Sequence, residues 1–123
     1  MSEAPTHRQF FGDDEYAFAL TPDLMIELER KTGTGIGGLC RRLFAGDFRH
    51  VEVLETIRLA LIGGGAEPEN ASALVATYAA TKPLGETFLL AVAILETAWF
   101  GTPETQEINV RPPADEKEAN RAA

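Results

Sequence analysis

The longest apolar stretch of the chain runs from Pro83 to Gly101, PLGETFLLAVAILETAWFG. Leu84, Phe88, Ala91, Val92, Leu95 and Trp99 recur at steps of three and four, which lines them along one face of a helix. Leu89, Leu90, Ala93 and Ile94 fill most of the remaining circumference, broken only by Glu86, Thr87, Glu96 and Thr97. A helix apolar nearly all round must be covered on most sides, by its own domain or by a partner. The uncharged run Phe88–Leu95 is far shorter than the about 20 residues that cross a bilayer. The pattern predicts a central core helix. The sharper alternative leaves one of its edges free for a partner protein.

Ahead of it the period changes. Residues 1–8 read as a loose N-terminus and residues 9–101 as a single domain. Two short apolar runs, Gln9–Phe11 and Tyr16–Leu20, flank the turn-forming cluster Gly12-Asp13-Asp14-Glu15, which predicts a β-hairpin. Thr21-Pro22 then reads as a helix start, with a hydroxyl at the N-cap and proline at N1. Leu24, Met25 and Leu28 give this helix its buried face, Glu27 and Lys31 an i,i+4 pair, and Gly33 its stop. Ile36, Leu39, Cys40, Leu43 and Phe44 form a second amphipathic stripe, with Arg41 and Arg42 on the wet side and Gly46 as terminator. Val53, Leu54, Ile57, Ala60 and Leu61 make a third helix, over about His50–Ile62. Glu67-Pro68-Glu69 opens a fourth, with Ala71, Leu74, Val75 and Tyr78 inward. The expected fold is mainly α, a compact bundle of about five helices with a short N-terminal β-hairpin. Residues 102–123 lack periodicity and read as a disordered or partner-ordered tail, with Ile108 and Val110 as candidate anchors on a partner.

Composition narrows the choice of partner. The 123 residues carry 19 Asp and Glu against 11 Lys and Arg, a net charge of −8. Nucleic-acid binding draws on Lys and Arg at phosphates, so an acidic chain without a basic run argues against DNA, RNA and anionic membranes. The single cysteine, Cys40, excludes an internal disulfide, and its place on an apolar stripe reads as a small buried hydrophobe. No apolar signal core stands at the N-terminus, which is expected of a protein kept inside the cell.

Candidate chemistry is sparse. Gly33–Gly38 lacks the Gly-Lys-Ser/Thr ending of a phosphate loop and follows a helix, not a strand, so a helix–helix joint is expected. Gly63-Gly64-Gly65 implies a tight helix end, a positive φ or a close backbone approach, with a ligand cradle as the lesser reading. The trio Asp13, Asp14 and Glu15 reads as a solvated turn, without further ligands at calcium-loop spacing. His7 and His50 belong to no metal-binding spacing. Neither catalytic, cofactor-binding nor metal-binding residues are therefore expected.

Taken in order, the FxGDDEYxFxL hairpin, the helix ending at Phe44 and Gly46, IRLALIGGG, LVxxY and PLxExxxLAxxILExAxxG have a combined pattern. It resembles the small tail assembly chaperone family of long-tailed phages and gene transfer agents, also labelled a phage tail tube protein family. The resemblance covers about Phe10–Gly101. It implies a non-enzymatic chaperone, in the cytoplasm of a bacterial cell making phage or phage-like particles. Its partners would be the long helical tape-measure protein and the tail tube protein, and a homo-oligomer stays open. Leu59, Ile62, Phe88, Leu90, Ile94 and Trp99 are the candidate partner-binding residues. A structural tail component kept in the particle is the first rival reading. A small ligand-binding domain built on the glycine turns is the second.

Overall fold

A computed structural model describes residues 4–102. The tail anchors Ile108 and Val110 lie outside these described residues. Two strands precede five helices: β1 Thr6–Phe11, β2 Asp14–Ala19, α1 Pro22–Thr32, α2 Ile36–Phe44, α3 His50–Gly63, α4 Pro68–Tyr78 and α5 Leu84–Phe100. This is the mainly α class, with the N-terminal hairpin, that the hydrophobic pattern predicts.

The hairpin is longer than its apolar positions suggest. β1 pairs antiparallel with β2 from Thr6 opposite Ala19 to Phe11 opposite Asp14, leaving only Gly12 and Asp13 in the turn. Thr6, His7 and Arg8 therefore belong to the ladder and not to a loose N-terminus. Backbone pairing needs no apolar side chain, so the polar half of β1 was invisible to periodicity. The strand face bearing Phe11, Tyr16 and Phe18 supplies aromatic core. Phe11 meets Phe18 edge-on with centroids 5.9 Å apart and meets Tyr78 of α4 at 6.1 Å.

Local capping chemistry sets the α1 boundaries. Thr21 Oγ1 accepts the Leu24 N–H at 3.3 Å, Pro22 takes the first turn, and Gly33 closes the helix in the left-handed region at φ 73°. The expected Glu27–Lys31 pair is replaced by Glu27–Arg30 at 2.7 Å, the other neighbouring spacing on a helix surface. Arg42 also departs from expectation. Its side chain leaves the wet face of α2 and reaches the buried Glu52 carboxylate on α3 at 2.6 Å.

The helix at the centre of the fold is α3, not α5. It packs against β2, α5, α1 and α4, and it buries Val53, Ile57, Leu59, Ala60 and Leu61. Its C-terminal end lies directly on the backbone of β2. A Cβ built on Gly63 would stand 1.9 Å from the Ala19 carbonyl oxygen, and one on Gly64 would stand 1.9 Å from that of Ala17. Glycine on the helix and alanine on the strand let the two backbones approach this closely. β2 is covered on both sides near its end, so Phe18, Ala19 and Leu20 are all buried.

Candidate partner-binding surface

α5 has five core residues, Thr87, Leu90, Ala91, Ile94 and Leu95. The predicted inward stripe, Leu84–Phe88–Ala91–Val92–Leu95–Trp99, is thus turned partly outward. Thr87 tolerates burial because its hydroxyl donates back to the Leu84 carbonyl at 3.3 Å. Three of the six candidate partner-binding residues, Leu59, Leu90 and Ile94, are consequently buried in the core. Ile62 is half-buried against that core from α3. Phe88 is half-buried at the α5 flank, where it stacks on Phe48 with centroids 4.9 Å apart and an 18° interplanar angle. Trp99 alone of the six is well exposed, at 56%.

The surface that results has other members. Leu89, Val92, Ala93, Glu96 and Phe100 follow one another along the outer side of α5. Leu89 is 66% exposed and Phe100 56%. A surface helix ordinarily turns charged residues to this side. α5 instead carries only two charged side chains, Glu86 and Glu96, among its 17 residues.

Trp99 links this face to α2. Its ring meets Phe44 edge-on at 6.3 Å, and Phe44 is itself 38% exposed. Beside it Met25, Ile36, Cys40, Ala98 and Trp99 line an apolar notch of 220 Å³ formed by α1, α2 and α5. The Trp99 indole N–H has no hydrogen-bond partner among the described residues. An exposed aromatic body with an open donor beside a notch suits protein recognition. Burial raises the Cys40 thiol to about 11, so at neutral pH this sulfur is a protonated packing group. Leu89 and Phe100 were legible only as apolar residues, because which side of a nearly uniform helix meets solvent is decided by its neighbours, and Phe44, placed on the apolar stripe of α2, stands partly exposed at that helix's end.

Both glycine turns take part in contacts of the fold itself. At the α2 N-terminus Glu29 Oε2 accepts the Ile36 N–H at 2.8 Å, so the protein's own carboxylate holds the place an anion would take. Gly63 and Gly64 are used by the α3–β2 contact. Open clefts of 590 Å³ and 500 Å³ flank the latter turn, sharing Arg8, Ala17, Gly64 and Gly65. In the hairpin turn Asp13 accepts the Tyr16 hydroxyl at 2.7 Å, and Asp14 accepts the Glu15 N–H at 2.7 Å. Among the described residues no three His, Cys, Asp or Glu converge as a metal site, and no helix is long and apolar enough to cross a membrane.

The fold and this surface define a small helical domain with an apolar outer face. A sequence model of the family described as phage tail tube protein, GTA-gp10, matches residues 4–101, and the chain belongs to that family. The match begins ahead of β1 and ends at the α5 C-cap, so it spans the hairpin and all five helices. Comparison with curated proteins and with solved structures found no match.

Proposed function

We propose that this tail-family protein is a non-enzymatic assembly chaperone. It binds the tape-measure protein through the outer face of α5 and Phe44, and helps tail tube subunits assemble around it. The observation that carries this reading is the apolar outer face, with Leu89, Trp99 and Phe100 each more than half exposed on a helix with two charges. Large contiguous apolar patches on a soluble domain mark interaction sites. An amphipathic helix of a long helical partner would lay its apolar stripe on such a face. The net charge of −8 would keep many bound copies apart along one filament.

The family's description as a phage tail tube protein favours a second reading, a tube component retained in the particle. A self-polymerising tube subunit is expected to be rich in β-structure, and the described residues hold one two-stranded sheet. The deciding experiment is co-expression with the tape-measure protein, followed by size exclusion with light scattering. The chaperone reading expects a soluble complex with several copies per partner, and a partner insoluble alone. A protein that ignores the tape-measure protein and is recovered at many copies in purified particles would establish the tube reading.

A further inference from the structure

The charges around the outer face of α5 specify more about its occupant than apolar contact does. α5 contains no Lys or Arg. Glu86 and Glu96 are both exposed and ten positions apart, about 15 Å along the axis. Leu89, Val92 and Ala93 lie in the interval between them. Neither glutamate forms an ion pair among the described residues. Among the described residues, positive side chains stand at the margins of this face. Lys82 shares a cleft with Glu86 just before the helix, and Arg41 lies one turn before Phe44. His7 lines the cleft beside Glu96 and Phe100. The Leu89–Ala93 part of the strip is therefore bracketed along its own helix by two negative charges that have no ion pair among the described residues, and Phe100 lies one turn beyond Glu96.

We propose that the face takes an amphipathic helix whose apolar stripe is flanked by Lys or Arg. This rests on the chaperone reading and names the chemistry of the partner segment. Docking such a helix covers Leu89, Val92 and Phe100 while its basic flanks reach Glu86 and Glu96. An acidic helix of equal hydrophobicity meets like charge at Glu86 and Glu96 and is rejected.

Trp99, the single tryptophan of the chain, reports on occupancy. Two Trp-free synthetic helical peptides of about 21 residues, with identical leucine stripes, would carry either Lys or Glu on their flanks. Titration of the full chain is expected to shift Trp99 emission to the blue, with the Lys peptide binding about 10-fold tighter at low salt. High salt narrows the difference, and Glu86→Lys with Glu96→Lys reverses it. Equal affinity, a Glu-peptide preference, no binding of either peptide, or a preference unchanged in a folded double variant would each overturn the inference. So would a stable dimer in which Trp99 is already shielded from iodide. If tape-measure capture persists while the charge preference is absent, the chaperone reading survives without this inference. If the Lys peptide binds and the tape-measure protein is ignored, the chaperone reading fails.

Discussion

Glu52 Oε2 accepts a hydrogen bond from Arg42 Nη2 at 2.6 Å, although the Glu52 side chain is fully buried. Glu52 also reaches back through Oε1 to the Arg49 backbone N–H at 2.9 Å, as the third residue of a capping box does. Arg49 Nη2 donates onward to the Thr32 carbonyl at 2.9 Å, and Arg42 Nη1 to the Asp47 carbonyl at 3.2 Å. One carboxylate thus ties the end of α1 and the end of α2 to the start of α3. Glu52→Gln keeps the shape and loses the charge, and it is expected to cost about 2 kcal/mol, since both arginines reach solvent. Urea unfolding at neutral pH measures this.

The same cluster gives stability a pH dependence. Burial is the largest influence on Glu52 and alone would raise its pKa. Hydrogen bonds from Arg42, then from Arg49, outweigh it and hold the carboxyl below its ordinary value. A folded-state pKa lowered in this way adds stability above the unfolded value of about 4.3, and the stability is lost as pH falls through the folded value. The stability gap between wild type and Glu52→Gln should be constant near neutrality and close on acidification. A gap that widens in acid contradicts the assignment.

Glycines separate into two classes by what a side chain would meet. Gly63→Ala and Gly64→Ala drive a methyl into the β2 carbonyls and should each cost more than about 2 kcal/mol. Gly37, inside α2 with nothing within 4 Å of an added Cβ, should gain about 0.5 kcal/mol on change to Ala. Thermal melts of the three variants give the comparison.

Features settled by neighbouring residues were legible in the sequence. Thr21-Pro22 and Gly33 marked the α1 ends because capping is local chemistry. Gly63–Gly65 marked a helix end, but its reason, the carbonyls of Ala17 and Ala19, lies more than forty positions earlier. The same limit hid the Arg42–Glu52 contact, which reads as a surface arginine until α2 and α3 are brought together. In α5 nearly every position is apolar, so periodicity predicted a helix without saying which side is core. Leu90 and Ile94 went inward, and Leu89 and Phe100 outward, because among the described residues β1, β2, α2 and α3 pack against the side that carries Leu90 and Ile94.

Cys40 supplies a folding probe. With its thiol buried and raised to about 11, alkylation by iodoacetamide at pH 7.5 should be slow in the folded protein and rapid in denaturant. Fast native labelling would contradict the closed packing of α2 against α5.

The outer face of α5 is tested most directly by Leu89→Asp with Phe100→Asp. Both side chains are exposed, so the fold should survive, as circular dichroism would verify. Capture of co-expressed tape-measure protein is the measurement. The double variant is expected to lose capture by about 10-fold or more. Undiminished capture by a folded double variant would contradict it.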